Sequence, residues 1–113
     1  MEDKLSPGLK VGVAWYLEAE WDRLRELAAD PEMLEETYAE WRRVCEDMVR
    51  KLAASGLATE PVEVRVAELQ AWCAARRRPL DANARAEFVS EIVAGRSNQA
   101  PPPSPRFPRF WRD

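Results

Sequence analysis

Histidine is absent from the 113-residue chain, and that absence excludes more chemistry than any residue present. It removes the side chain that most often moves protons near neutral pH, and the commonest transition-metal ligand. Cysteine is scarce: Cys45 and Cys73 stand 28 positions apart with no C-x-x-C pair, so neither a zinc cluster nor a Cys-His nucleophile can be built within one chain. Both fall on apolar faces of expected helices, which suits buried free thiols better than a disulfide. Gly8, Gly12, Gly56 and Gly95 are too scattered for a phosphate-cradling loop. No apolar run approaches the roughly eighteen residues that would cross a bilayer. The opening Met1-Glu2-Asp3-Lys4 lacks the basic-then-apolar pattern of a secretion signal. These absences lead us to expect a cytoplasmic, non-catalytic protein with no membrane contact, no metal and no cofactor.

What is present fits one modest globule, since 46% hydrophobic with 33% charged residues is an ordinary balance. Its net charge of −3 hides an asymmetry: residues 1–63 hold fifteen acids and eight bases, residues 64–113 five acids and nine bases. The halves are −7 and +4, a polarity that can steer partners or bring copies together, although a Glu-rich helix is commonly only a solvated face.

Val11, Val13 and Trp15 alternate with Gly12 and Ala14, the pattern of a strand. Its mate is Val62-Glu63-Val64-Arg65-Val66, whose inward valines and outward charges predict one wet face and one face covered by helices. Between the strands, Leu17, Trp21, Leu24 and Ala28 share a face of a first helix. Asp30-Pro31-Glu32 then supplies an N-cap, a first-turn proline and an early acid for a second. Along it Leu34, Tyr38, Trp41, Cys45, Met48 and Leu52 form an apolar seam at four- and three-residue steps, ending before Gly56. At 1.5 Å per residue such a helix is about 35 Å long. Leu69, Trp72 and Cys73 line a third helix that ends by Arg78, ahead of Pro79. A fourth begins at Asp81, carries Ala84, Phe88, Val89, Ile92 and Val93, and stops at Gly95. The expected fold is α+β and mainly helical, β-α-α-β-α-α with a small two-stranded sheet. It comprises a loose stretch over 1–10, one domain over 11–95, and an extended Pro/Arg/aromatic tail over 96–113.

The succession Gly12-Val13-Ala14-Trp15-Tyr16, Thr37-Tyr38-x-Glu40-Trp41 and Glu68-Leu69-x-Ala71-Trp72-Cys73 resembles that of a group of short bacterial proteins. The resemblance spans roughly residues 11–90 and leaves out the tail. It implies no activity.

Few residues offer chemistry of their own. Glu32, Glu36 and Glu40 form a ladder that could hold a hard cation, but such ladders are ordinary solvated faces. Two features go beyond packing. Arg76, Arg77 and Arg78, with Arg85 in the next helix, make a positive corner able to meet phosphate or a partner's acids, or simply to complement a helix C-terminus. In the tail, Arg106, Phe107, Arg109, Phe110, Trp111 and Arg112 interleave cations with aromatics. Such a segment could anchor in a groove, stack on single-stranded nucleic acid, or fold back on its own domain. The reading these features favour is a protein-protein interaction module or antitoxin-like accessory subunit that docks through its tail. Its partner is another protein; a second copy is also admitted, because sheet edges invite pairing and the long helix can extend its seam. The alternative is nucleic-acid binding through the arginine corner and the tail, disfavoured by the acidic chain.

Overall fold

A computed structural model describes residues 10–96 and 107–108. The described chain is α+β: strand β1 (Val11–Tyr16), helix α1 (Trp21–Leu27), helix α2 (Tyr38–Ala54), strand β2 (Thr59–Val64), helix α3 (Val66–Ala75) and helix α4 (Ala82–Arg96). The strands pair in parallel, Val11 opposite Thr59 through Tyr16 opposite Val64. Parallel pairing requires a crossover, which α1 and α2 provide.

Helix α2 starts seven residues later than the Asp30-Pro31 signal predicts. Pro31–Met33 is an isolated 3-10 turn, and the true N-cap is Thr37, whose hydroxyl accepts from the Glu40 N–H while the Glu40 carboxylate accepts from the Thr37 N–H. This reciprocal capping box satisfies two otherwise unpaired donors. Asp30 is unavailable to α2 because its carboxylate serves α4, accepting from the Ala82 N–H at 2.9 Å and from Arg85 at 2.9 Å. With 17 residues α2 is about 25 Å long. Its other end follows the sequence: Gly56 sits at φ +88°, and the Leu57 and Gly56 N–H groups return to the Leu52 and Ala53 carbonyls, closing the last turn.

The seam also shifts. Trp41, Cys45 and Val49 are buried, whereas Met48 faces solvent and Leu34 precedes the helix. Around them one core gathers Val13, Trp15, Trp21, Leu24, Val62, Val64, Leu69 and Phe88. Helix α4 packs on the sheet face that carries Gly12, so closely that a Cβ there would lie 2.7 Å from Val93 Cγ2. On the other face Trp15 meets Trp41 of α2 with ring centroids 5.0 Å apart. Glu63 on that face is half-buried, but Val13, Trp15 and Pro61 beside it are enclosed, so helices reach both faces rather than the one that the alternation over 62–66 predicts.

Helix α4 is capped by Asp81, whose carboxylate accepts from the Ala84 N–H at 2.9 Å. It passes Gly95 and runs to Arg96, whose guanidinium is held by Glu60. Cys45 and Cys73 are both free and buried. Among the described residues no helix is long and apolar enough to cross a membrane.

Candidate functional site

The two edges of the sheet are unlike, and the contrast follows from the backbone. The Val11 N–H donates to the Ala58 carbonyl at 2.9 Å. Given the parallel register, Val11, Val13 and Trp15 turn their backbone groups toward β2, while Gly12, Ala14 and Tyr16 turn theirs outward. By the same alternation Thr59, Pro61 and Glu63 face out from β2.

The β2 edge is occupied. Pro61 has no N–H to offer, and its carbonyl accepts from Arg96 at 3.0 Å. The same guanidinium holds the buried Glu60 carboxylate at 2.6 Å. Neither Thr59 nor Glu63 is without a partner. Among the described residues the β1 edge is closed at its end alone, where the Tyr38 hydroxyl donates to the Tyr16 carbonyl. Among the described residues, no hydrogen bond reaches the outward backbone groups of Gly12 and Ala14.

A groove of about 250 Å³ runs along this open edge, walled by Val13 and Ala14 of β1, Met33 and Leu34 of the connecting loop, and Val44 and Met48 of α2. Its rim is apolar and wet: Met33 is 64% exposed, Val44 54% and Met48 42%. Beside it, the outer side of α2 forms a depression of about 570 Å³ lined by Glu35, Glu40, Arg43, Val44, Asp47 and Arg50. An unpaired strand edge flanked by exposed apolar side chains is a template for another chain.

The floor of the groove is aromatic, with Tyr16 and Trp41 in its lining. Trp21, Tyr38, Trp41 and Tyr16 stack around one another, with Trp41 centroids 5.1–5.4 Å from those of the other three. Such tilted contacts add to simple burial. Burial pushes the Tyr16 hydroxyl up to about 12 although the Arg85 charge opposes it, and pushes the Cys45 thiol up to about 12. Burial also raises Cys73, against the nearby Arg78. These thiols stay protonated at neutral pH and lack the thiolate that nucleophilic chemistry needs.

The arginine corner is engaged internally. Arg76 lies over the Trp72 ring, 4.2 Å from its centroid, and reaches the Trp72 carbonyl and Glu91. Arg78 lies over the same ring at 5.5 Å and donates to Glu87 at 2.7 Å. Arg85 does not join them: it is buried and bonded to Asp30. Arg77 alone makes no side-chain bond among the described residues, and its backbone is left-handed at φ 54°. The arginines therefore form no common anion pocket. The carboxylate ladder is not a unit either, because Glu32 lies in the 3-10 turn and Glu40 in the α2 capping box. No group of acids, cysteines or histidines among the described residues could hold a metal.

Of the tail, Phe107 and Pro108 are described, and both are buried. Phe107 is 5% exposed and belongs to the core cluster, so it folds back on its own domain instead of standing ready for a partner. Arg106, Arg109, Phe110, Trp111 and Arg112 lie outside the described residues. Sequence reasoning missed Met33 and Val44. Val44 adjoins the seam on a second apolar strip, and only the docking of α2 over the sheet shows which strip is left outside.

Comparison with protein-family models, curated proteins and solved structures finds no match.

Proposed function

We propose that this chain is a small non-catalytic protein-protein interaction module, an accessory subunit whose contact surface is the open edge of β1 with the exposed strip of α2. The observation that carries the reading is the inequality of the two edges. One is occupied by Arg96 and lacks a donor at Pro61; on the other, among the described residues, no hydrogen bond reaches the outward groups of Gly12 and Ala14, and Met33, Val44 and Met48 flank Ala14. Strand addition to such an edge supplies main-chain hydrogen bonds for affinity, and the flanking apolar groups supply selectivity. The high thiol pKa of Cys45 and the internal pairing of Arg76, Arg78 and Arg85 weigh against a nucleophile and against a phosphate clamp. Burial of Phe107 moves the docking surface from the tail to the sheet edge.

The test is capture of partners from the protein's own cells by the wild type and by Val44→Glu with Met48→Glu. Both positions are solvent-exposed, so the far-UV circular dichroism of the variant should match the wild type while the captured partner is lost. A variant that retains the same partner in the same amount contradicts the reading.

A further inference from the structure

We infer that the groove beside β1 is a binding site for a small uncharged acyl compound, an apolar chain ending in a carbonyl head that the Tyr16 hydroxyl and the Arg85 guanidinium receive. The site lies at the floor of the groove and is independent of the strand edge as a protein contact. Its first support is a polar group held in an apolar place. Tyr16 is 5% exposed, yet no hydrogen bond of its hydroxyl is found among the described residues; the bond from Tyr38 goes to its carbonyl. The fully enclosed polar side-chain atoms without a partner among those residues are Trp21 Nε1 and Arg25 Nε. The Tyr16 hydroxyl is not one of them, so it keeps an opening, and the cavity that Tyr16 lines is this groove. A buried donor without an acceptor is costly unless a ligand supplies one.

The second support is Arg85, which lines the same groove and is 9% exposed. Its bonds to Asp30 use one N–H on each terminal nitrogen. The Nε–H and a second N–H on each terminal nitrogen are left over, and Nε is not among the enclosed unpartnered atoms either. The Arg85 charge acts on the Tyr16 hydroxyl, so hydroxyl and guanidinium lie near each other. A few convergent polar groups in an otherwise apolar cavity are the usual form of a small-molecule site.

The donors also select the head. Asp30 already balances Arg85, so a carboxylate would bring a second anion to one shared cation, and an ammonium would set donors against donors. Glu35, the carboxylate in the described lining, also lines the outer depression, which sets it toward the mouth, where it opposes an anion. A carbonyl oxygen accepts from both donors and carries no charge. The chain lies against Val13, Ala14, Leu34 and Val44, with Met33 and Met48 as adaptable walls. At about 250 Å³ the groove is just below the roughly 300 Å³ at which drug-sized pockets begin, so the ligand has on the order of ten non-hydrogen atoms.

Titration of the isotope-labelled full chain with octanamide, followed through backbone amide shifts, tests this, with octanoate and octylamine as charged probes of the same length. Octanamide should give saturable shifts at Ala14, Val44 and Met48 with a dissociation constant at or below about 1 mM. Both charged probes should bind about fivefold more weakly or worse. Tyr16→Phe keeps the ring, removes the hydroxyl and should weaken octanamide about fivefold, with native far-UV circular dichroism. No saturable shift up to about 10 mM, shifts confined to another face, a charged probe that binds as tightly as octanamide, or unchanged affinity in Tyr16→Phe overturns the site. Should Tyr16→Phe fail to fold, the three probes on the wild type decide. Each of these outcomes leaves Gly12 and Ala14 as a protein contact to the partner-capture test.

Discussion

The Tyr38 hydroxyl donates to the Tyr16 carbonyl across 2.8 Å and 22 residues of sequence, tying the first turn of α2 to the last residue of β1. One side chain thus closes the end of the β1 edge and sets where the open part begins. Tyr38→Phe keeps the ring among Trp21 and Trp41 and removes the bond, so unfolding free energy in urea should fall by about 1 kcal/mol. An unchanged midpoint contradicts the role given to this bond.

Asp30 holds the fold together at a distance. Burial would raise its carboxyl, but the Arg85 side chain, the Ala82 N–H and the Arg85 charge outweigh burial and hold it below its usual 3.8. A carboxyl lowered in the folded state contributes stability above its unfolded pKa and loses that contribution as pH falls through the folded one. Wild-type stability should therefore decline below about pH 4. Asp30→Asn should cost about 2 kcal/mol at neutral pH and flatten that acid limb, as read from urea midpoints against pH. An acid limb that is equally steep in the variant places the titration elsewhere.

Gly12 stands mid-strand because α4 leaves no room for a side chain. An added Cβ would lie 2.7 Å from Val93 Cγ2 and 3.0 Å from Val89 Cγ1, too close for either to stay in place. Gly12→Ala should lower stability by about 1–3 kcal/mol, and combining it with Val93→Ala should recover part of the loss. A double variant whose thermal midpoint lies below the sum of the two single effects argues against steric relief.

At the end of α3 the Arg78 and Arg77 N–H groups return to the Cys73 and Ala74 carbonyls, the closure that usually carries glycine at its left-handed position. Here Arg77 occupies it at φ 54°. Arg77→Gly removes the Cβ strain and should raise stability by about 1 kcal/mol. Loss of stability on that change would show that the Arg77 side chain contributes more than its backbone costs.

The local part of this fold was legible in the sequence. Gly56 marks the end of α2 because only a left-handed residue closes that turn, and the alternation at Val11, Val13 and Trp15 gives β1 directly. Thr37 and Glu40 carry a capping box in plain view, yet Asp30-Pro31 offers an equally good start. Deciding between them requires knowing that Asp30 is engaged by Arg85, 55 residues away. The seam fails at Met48 for a related reason. Four- and three-residue steps fit both Met48 and Val49, and only the docking of α2 over the sheet selects Val49 for the core.

The candidate site was less legible, since an edge is a property of pairing. Gly12 and Ala14 become outward residues only once β1 runs parallel to β2 in this register. Arg76, Arg78 and Arg85 look alike in sequence, and their Glu91, Glu87 and Asp30 partners emerge only when the end of α3, helix α4 and the connection after α1 come together. Phe107 reads as an exposed tail aromatic until the core is seen to take it in.

The most direct test of the β1 edge as the contact surface is amide hydrogen exchange at Gly12 and Ala14 in the isolated chain and in its complex with the captured partner. Pairing of the edge predicts that both amides exchange more slowly in the complex, while amides of the α2-α4 core stay constant. Exchange at Gly12 and Ala14 that is the same in both, with the partner shown to be bound, would contradict it.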